Sequence, residues 1–505
     1  MNRPQTLFVF ATFWTAALSI AAPPAQGGDV DFAIQISIDG LRGDLLENLI
    51  TGDLRGDFSN FRLFIEEGAT TFNARTDFTH TTTLPNHTTM LTGRPVLRPF
   101  GQPNTTHHGY TSNGTPAPGD TLHNRGNPNL PYIASVFDVA HDIGLLTSLY
   151  ASKSKFMIYE QSYNAMNGAP DNTGADDGTD KIDIFVSRST GFPANASNMH
   201  ADFLADMARN HFNYSFVHYR DPDSAGHASG WGSVPWVNAV KAVDGYLGDL
   251  FDLVEGDPWL RDNTVIILTA DHGGLGQGHG TPANPANFTI PFLVWDGGVD
   301  EGADLYALNA CTRQDPGADR PGYDAPLQPI RNGDGANLAL GLLGLPLVPG
   351  STINTDQALI LKKRDGDGDG ILDDGDGSCA AGDFPCADGI TAECDDNCPT
   401  LANPGQEDFD SDGSGDFCDD DVDGDHVVNS EDRCPLSPLE LPINEEGCTA
   451  AQLLTLFCEP ADFQRHGPFV SCVAHTAALA VEQGLIRASE KGAFVRDAAR
   501  TGPMR

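Results

Sequence analysis

Histidines and aspartates that suit metal-assisted chemistry follow several apolar segments in the first two thirds of the chain. Zinc is bound by histidine nitrogens and carboxylate oxygens, and a catalytic zinc site keeps one position open. Asp223 and His227 lie four residues apart, so both can serve one ion from a single turn of chain. Asp271 and His272 are adjacent, so their side chains can diverge toward two ions. The candidate ligands are Asp39, Asp223, His227, Asp271, His272 and His279.

Two neighbouring metal ions can hold the attacking and the leaving oxygen of an in-line displacement at phosphorus. Such a reaction needs a nucleophile, and the hydroxyl-rich stretch Thr79–Gly93 offers several. A threonine hydroxyl is a poor nucleophile at its ordinary pKa, and metal coordination is one way to activate it. Chemistry alone does not choose among Thr81, Thr82, Thr83 and Thr88.

The candidate ligands come directly after segments with the character of β-strands. Phe32–Ile38 alternates apolar residues and runs into Asp39, and the β-branched segment Thr264–Thr269 precedes Asp271. Asn213–Tyr219 is a third strand candidate. Because ligands of open α/β sheets bind beyond the carboxyl ends of the strands, these side chains are expected at one edge of a sheet.

Helical patterns between these segments define the expected fold class. Trp236–Val254 places apolar residues three and four positions apart, as an amphipathic helix does. The alternation of strand and helix predicts an α/β fold with a doubly wound, mostly parallel sheet that helices cover on both faces. We assign residues 29–362 to this catalytic domain.

Six short motifs in this region, in this order, resemble the alkaline phosphatase superfamily, in its branch of type I phosphodiesterases and nucleotide pyrophosphatases. They are SIDG (Ser37–Gly40), TLPNH (Thr83–His87), HGYTSN (His108–Asn113), DPDSAGH (Asp221–His227), ADHGG (Ala270–Gly274) and GHG (Gly278–Gly280). Each motif alone is weak, whereas all of them in the family's order form a strong signal. The resemblance implies an alkaline phosphatase-like fold and a zinc-dependent phosphodiesterase or nucleotide pyrophosphatase that acts on a small-molecule phosphoester.

The resemblance also divides the ligands between two zinc ions. The ion that activates the nucleophile would be held by Asp39, Thr83, Asp271 and His272. The ion that handles the leaving group would be held by Asp223, His227 and His279.

The nucleophile and one anion-binding residue follow from the same resemblance. Thr83 would attack phosphorus and become transiently phosphorylated. Asn113 would hold a non-bridging phosphate oxygen. Asn104 is a competitor for that role, because residues 97–106 form an insertion relative to the family.

Two lysines bear on the charge of the substrate. Three ligand aspartates carry −3 and two zinc ions +4, so a threonine alkoxide brings the site near neutrality, which suits a monoanionic diester. Lys153 and Lys155 follow the strand-like Leu145–Tyr150 and resemble the substrate-anion lysines of the phosphonoacetate hydrolase branch. The alternative is a solvated charged loop. If the lysines face the metals, a phosphomonoesterase or phosphonate hydrolase is favoured over a phosphodiesterase.

The last third of the chain is strongly acidic. From Asp365 to Asp432 there are 23 Asp and Glu and no Lys or Arg, out of a net charge of −41 for the chain. That balance argues against nucleic acid as a partner through bulk charge. Oxygen-bearing side chains recur at alternate positions, as they do in calcium loops. The candidate calcium ligands are Asp365, Asp367, Asp369, Asp376, Asp408, Asp410, Asp412, Asp416, Asp421, Asp423 and Asp425.

Residues 363–436 resemble thrombospondin type 3 repeats. The resemblance implies several calcium ions wrapped by chain and pinned by disulfides, with little hydrophobic core and with cell-surface contact as a further expectation. The alternative is a disordered acidic linker. A function from a different class also follows, namely a calcium-dependent surface or adhesion protein with an inactive catalytic domain.

Nine of the ten cysteines lie at Cys379 or beyond, which is typical of a disulfide-stapled region. Nine is odd, so one of them is free, or pairs with Cys311 or with another chain. Residues 437–505 form a Cys-containing, partly helical C-terminal segment. Its helices are predicted at Ala477–Ile486 and Lys491–Ala499.

The first residues predict a signal peptide, which we assign to residues 1–25. Arg3 precedes the apolar run Leu7–Ala22, and small residues supply a cleavage zone before Asp29. A membrane anchor is disfavoured because the run is short for a span. No transmembrane span is expected after signal removal. Export to the periplasm, the cell surface or the medium is therefore expected, in an oxidising compartment where disulfides persist.

Overall fold

The computed structural model describes residues 29–175, 178–188, 196–355, 358–438 and 440–501, and the predicted signal peptide lies outside them. The chain divides into two compact units, Met1–Lys362 and Lys363–Arg505. No helix within the described ranges is long and apolar enough to cross a membrane.

The first unit is built on one eight-stranded sheet with the order β4-β3-β5-β1-β6-β7-β2-β8. Strand β7 runs antiparallel to both of its neighbours, and the other pairings are parallel. The strands are β1 Phe32–Ile38, β2 Gly68–Arg75, β3 Thr147–Ala151, β4 Ile184–Ser187, β5 Tyr214–Tyr219, β6 Thr264–Thr269, β7 Thr289–Asp296 and β8 Ala303–Asp304.

Helices cover the sheet in two layers, one formed around α2, α7 and α9 and the other around α3, α5 and α12. The helices of the first unit are α1 Gly43–Thr51, α2 Ser59–Glu66, α3 Thr83–Thr92, α4 Leu122–Arg125, α5 Val136–His141, α6 Met157–Tyr163, α7 Ser197–Asn210, α8 Asp221–Ser229, α9 Val234–Gly256, α10 Pro285–Phe288, α11 Leu305–Leu308 and α12 Asp334–Leu342. The predicted doubly wound, mostly parallel α/β fold is confirmed.

Strand β1 lies at the centre of the sheet, and all seven of its residues are buried. Ile34, Ile36 and Ile38 supply the apolar burial that favours this position. The polar side chains of the strand have partners: Gln35 donates to the backbone oxygen of Met90, and Ser37 is bonded to a histidine of α3. Because buried polar groups are costly unless bonded, these contacts fix how α3 lies on the sheet.

Three acidic loops with the same hydrogen bonds open the second unit. In each loop, the side chain of the first aspartate accepts a hydrogen bond from the backbone nitrogen five residues later. Asp365 accepts from Gly370, Asp408 from Gly413 and Asp421 from His426. The residue eight positions after each first aspartate closes the loop, because its side-chain oxygen accepts from the backbone nitrogen of the loop's second residue. These residues are Asp373, Asp416 and Asn429. The repeated pattern holds the remaining carboxylates of each loop close together.

Four disulfides connect cysteines of the second unit. They are Cys386–Cys394, Cys398–Cys418, Cys434–Cys448 and Cys458–Cys472. The remaining cysteine of the tail, Cys379, is also disulfide-bonded, which excludes the free thiol that the odd number allowed.

The end of the chain contains three helices, α13 Ala450–Phe457, α14 His466–Glu482 and α15 Lys491–Thr501. The prediction for the second of them was wrong at both ends, because α14 begins eleven residues before the predicted start and ends four residues before the predicted end. The disulfide to Cys472 and the packing of Phe469 bury the first half of this helix. Gly484, at a φ of +79°, follows its end in the left-handed conformation that terminates helices.

Candidate metal centre and active site

The predicted ligands meet at the carboxyl ends of the three central strands. Asp39 follows β1, Asp271 and His272 follow β6, and Asp223 lies in the first turn of α8, which follows β5. Strands β5 and β6 both pair with β1 in parallel and end level with it. The strands therefore bring Asp39 and His272, which are 233 positions apart in sequence, to one point.

Two groups of three side chains each have ligand atoms within 4.8 Å of one another. One group is Asp39, Asp271 and His272, and the other is Asp223, His272 and His279. His227 borders the second group, with its Nε2 3.3 Å from Asp223 Oδ1 and 3.2 Å from His279 Nε2. The structure thus brings all six predicted Asp and His ligands together, and the assignment of each to one of two ions stays a prediction.

Backbone carbonyls fix the orientation of the three histidine rings. The Nδ1 atoms of His272, His279 and His227 donate to the carbonyl oxygens of Gly273, Thr81 and Gln277 at 2.8, 2.7 and 2.9 Å. A carbonyl oxygen only accepts, so in the neutral rings the proton lies on Nδ1 and the lone pair on Nε2 points at the carboxylates. Such contacts orient metal-binding histidines and fix their tautomer.

Four buried ligand atoms have no hydrogen-bond partner among the described residues, and they are Asp39 Oδ1, Asp223 Oδ1, Asp271 Oδ2 and His272 Nε2. Leaving so many acceptors unpaired in the interior is expensive, and cations are what carboxylate oxygens and imidazole lone pairs bind. Burial raises the pKa of Asp271, with the nearby Asp39 adding to the effect. The donor set therefore fits divalent metal ions.

Thr83 is the first residue of α3 and is buried beside this cluster. A helix N-terminus favours negative charge, whether an alkoxide or a phosphate. The hydroxyl of Thr81 donates to the carbonyl oxygen of His279, and that of Thr88 to the carbonyl oxygen of Leu84. Position and partners therefore favour Thr83 over these two candidates, and its part as nucleophile stays a prediction.

Asn113, rather than Asn104, lies at the start of α3. Its Oδ1 accepts from the backbone of Leu84 at 3.0 Å and from Lys155 Nζ at 3.0 Å. With the oxygen held by these two donors, the amide nitrogen has no hydrogen-bond acceptor among the described residues and can donate to an anion. Asn104 is elsewhere, exposed and bonded to Arg98.

Lys153 contacts the cluster and Lys155 contacts Asn113, so the alternative of a solvated loop is disfavoured. Lys153 Nζ lies 2.5 Å from Asp39 Oδ2 and 2.6 Å from Asp223 Oδ2. It thus holds one oxygen of each carboxylate, while the other oxygen of each is without a partner. Burial lowers the pKa of Lys155, and the charge of Lys153 lowers it further.

Sequence reasoning missed three side chains that support the site. His218 is bonded to Asp39, His87 is bonded to Ser37, and Trp231 donates to the backbone oxygen of Gly40 at 2.8 Å. A histidine within a buried strand, or one four residues after the nucleophile, gave no ligand pattern to detect. The sequence carried no signal for Trp231, because the glycines that lie against its ring are brought together only by the fold.

Trp231 packs on Gly274, and a Gly274→Ala substitution is expected to destabilise the first unit by about 1–3 kcal/mol. The added Cβ would lie 2.2 Å from the indole, which must then leave its bond to Gly40 and its place beside His227 and His279. Chemical denaturation measures the loss. Gly245→Ala is the matched control, because it faces open space on α9 and is expected to be neutral or stabilising. Equal stability of the two variants would count against the packing argument.

Comparison with known proteins agrees with the site. The family model described as type I phosphodiesterase / nucleotide pyrophosphatase matches residues 33–125 and 139–276. The thrombospondin type 3 repeat model matches residues 407–440. The two resemblances predicted from the motifs are thereby confirmed.

Curated relatives match short parts of the chain. Mouse thrombospondin-2 is 61% identical over 41 residues, which are 8% of this chain and 4% of that protein. The GPI ethanolamine phosphate transferase 1 of Chaetomium globosum is 30% identical over 109 residues, or 22% of this chain and 11% of that protein. The chain thus spans a small fraction of the length of these relatives.

Among solved structures, murine ectonucleotide pyrophosphatase/phosphodiesterase 5 aligns at a TM-score of 0.42 and 15% identity, over 63% of this chain and 96% of its own. An alkaline phosphatase superfamily protein from Vibrio parahaemolyticus aligns at a TM-score of 0.39 and 15% identity, over 67% and 73%. The chain thus carries a region that matches the type I phosphodiesterase / nucleotide pyrophosphatase model, followed by a region that matches the thrombospondin type 3 repeat model.

Proposed function

We propose that the first unit is a zinc-dependent hydrolase of phosphoric esters that acts through a covalent phosphothreonine at Thr83. The observation that carries the proposal is the group of four unpartnered ligand atoms at the strand ends, beside the helix N-terminus that presents Thr83. A chain with an inactive catalytic domain, as in the adhesion hypothesis, would have no physical reason to keep buried, costly acceptors aimed at one point.

Each residue of the site has a defined task in this proposal. Bound zinc ions would supply charge that stabilises the Thr83 alkoxide and the departing oxygen. Thr83 gives up its proton to solvent, and its hydroxyl oxygen forms a bond to phosphorus as the bond from phosphorus to the leaving-group oxygen breaks and the alcohol departs. Water later hydrolyses the phosphothreonine, which releases the phosphoryl product and restores the Thr83 hydroxyl. The free amide nitrogen of Asn113 donates to a non-bridging oxygen, and the first turn of α3 favours the negative charge there.

The two lysines favour a dianionic phosphoryl group, as in a phosphomonoester or a phosphonate. The metal ions, the three aspartates and the alkoxide sum to about zero, so Lys153 and Lys155 leave a charge of about +2 around the substrate. The second candidate is a phosphodiester or nucleotide pyrophosphate, which the matched family favours by its description. The two substrate classes differ by one negative charge at the transferred group.

Lys155→Ala is expected to lower kcat/KM for p-nitrophenyl phosphate about 10- to 100-fold, the size of one charge-assisted hydrogen bond. The rate for bis-p-nitrophenyl phosphate should change much less, because a monoanion gains less from the second cation. Lys241→Ala is the control, since Lys241 is half-exposed on α9 and paired with Asp57. A wild-type protein that prefers the diester, with Lys155→Ala lowering both rates equally, would favour the second candidate.

Metal content tests the proposal independently of the substrate. We expect two zinc ions per first unit after equilibration with zinc, with neither bound once Asp39 and Asp223 are both replaced by alanine. Magnesium, manganese and iron are the competing ions to compare in the same titration. If the wild-type protein binds no divalent ion in this unit, the catalytic proposal fails and the calcium-dependent surface protein remains.

For the second unit we propose calcium binding in the acidic loops. Close carboxylate groups support it, namely Asp365 with Asp367 and Asp369, and Asp408 with Asp410 and Asp412. Asp376 lies with Asp374 and Asp395 instead of with the loop that precedes it. The disulfides and the repeat support export of the protein and a cell-surface contact through the calcium loops.

A further inference from the structure

The three ligand carboxylates are held in different ways. Asp271 Oδ1 accepts from the backbone of Gly40 at 3.1 Å. Asp223 Oδ2 accepts from Lys153, which also contacts Asp39 Oδ2. Asp39 Oδ2 alone has a second donor of another kind, the ring of His218 at 2.9 Å.

The direction of this hydrogen bond is set by chemistry. An ionised carboxylate only accepts, so His218 donates from Nε2–H, and its Nδ1 is then an acceptor. The hydroxyl of Ser152 lies 3.3 Å from that Nδ1 and 2.9 Å from the carbonyl oxygen of His218. Ser152 is itself held by the backbone nitrogen of Arg220 at 2.9 Å. The ring therefore donates to Asp39, and Ser152 fixes its orientation from the opposite side.

Packing leaves the His218 ring no other place. It is fully buried, with ring centroids 4.3 Å from Phe156 and 5.1 Å from His87. A donor held in this place on Oδ2 leaves Oδ1 of Asp39 directed at the cluster, and Oδ1 has no hydrogen-bond partner among the described residues.

We propose that His218 is a positioning residue that holds Asp39 Oδ2 and so presents Oδ1 to the ion on the nucleophile side. This inference rests on the proposed function. Lys153 is shared with Asp223 and, in that function, with the substrate dianion, so it cannot hold Asp39 throughout turnover. His218 contacts neither substrate nor metal and keeps the carboxylate in place when the lysine turns to the phosphoryl group.

Stepwise zinc affinities, measured by competition with a chromophoric chelator, test the inference without relying on activity. His218→Phe keeps an aromatic ring against Phe156 but removes the donor, and one of the two zinc affinities is expected to fall about 10- to 100-fold. The other affinity should stay within a few-fold. His218→Gln, whose amide nitrogen can donate from the position of Nε2, should recover most of the loss.

The controls separate this inference from structural damage and from the proposed function. His200→Phe replaces another buried histidine, which lies in α7 and is bonded to Tyr219, the neighbour of His218 on β5. It should leave both zinc affinities unchanged. Thermal unfolding of the metal-free variants shows whether His218→Phe and His218→Gln fold alike. If wild-type protein binds no zinc, the proposed function fails. The positioning inference is overturned, while the proposed function stands, if the wild-type protein binds two zinc ions and both His218 variants bind them as tightly as the wild type does. It is also overturned if His218→Phe and His218→Gln lose zinc affinity to the same extent.

Discussion

Replacing Thr83 by alanine is expected to abolish turnover of p-nitrophenyl phosphate, with kcat falling roughly 10³-fold or more, as nucleophile removal does in other hydrolases. The hydroxyl is the atom that would attack phosphorus, and α3 presents it at the helix N-terminus beside the unpartnered carboxylates. The measurement is steady-state kinetics of the zinc-loaded proteins. Trapping of a phosphorylated wild-type protein by acid quench, followed by peptide mass spectrometry, would place the phosphate on this residue.

Two variants make the Thr83 result interpretable. Thr83→Ser keeps a hydroxyl and should retain measurable turnover, whereas Thr82→Ala removes the neighbouring hydroxyl and should change the rate only a few-fold. Zinc content must be measured for each, because Thr83 is also a predicted ligand. Full activity in the zinc-loaded Thr83→Ala protein would rule out the phosphothreonine, and phosphate found on Thr82 would move the nucleophile.

Calcium withdrawal is expected to unfold the acidic loops of the second unit while leaving the first unit folded. Without cations, 23 acidic side chains between Asp365 and Asp432 repel one another, and little apolar surface opposes them. Each site saturated at a hundred times its dissociation constant contributes about 2.7 kcal/mol, so several sites together outweigh the stability of loops that bury little apolar surface. Hydrogen exchange read separately in the two units measures the effect.

The comparison needs zinc to be held constant. The protein is stripped of divalent ions and reloaded with zinc alone or with zinc and calcium. Asp367→Asn is expected to raise the calcium needed for protection, because its Oδ2 is unpartnered within a carboxylate group. Asp420→Asn removes the same charge from an exposed position outside the predicted ligands and should not. Full protection of the loops in zinc alone would refute calcium-dependent folding.

Much of the fold and of the candidate site could be predicted from local segments of the sequence. The strand segments before Asp39 and Asp271 are apolar and β-branched, so their burial and their parallel pairing could be predicted, and with them the edge where the ligands meet. The motif around Thr83 selected the predicted nucleophile, but the helix that begins there was not predicted. The predicted Asp and His ligands lie together because strand ends in a parallel sheet coincide in space.

What could not be predicted depends on contacts between distant segments. No pattern in the sequence shows that His218 faces Asp39 from a neighbouring strand, or that Lys153 lies between two carboxylates instead of in solvent. Asp376 and Asp395 lie close together although 19 positions separate them in sequence. The segment between them contains the Cys386–Cys394 disulfide, and no local pattern predicts its path. The start of α14 was missed although Phe469, Val473, Thr476 and Ala480 follow the helical repeat, because that part of the repeat was not recognised in the sequence.

The two halves of the metal centre differ in their contact with solvent. Asp39, Asp271 and His272 are wholly enclosed, whereas the side chain of His227 is 48% exposed. In the function that we propose, the rate of ion exchange would therefore differ between the halves, because an outer ion would leave past the exposed ring of His227 and an inner ion only through the protein. If the protein is exported, as we propose, it cannot draw on the buffered metal supply of a cell. When metal ions are scarce, such a centre would lose the ion on its exposed side first and keep the ion on the side that holds its nucleophile.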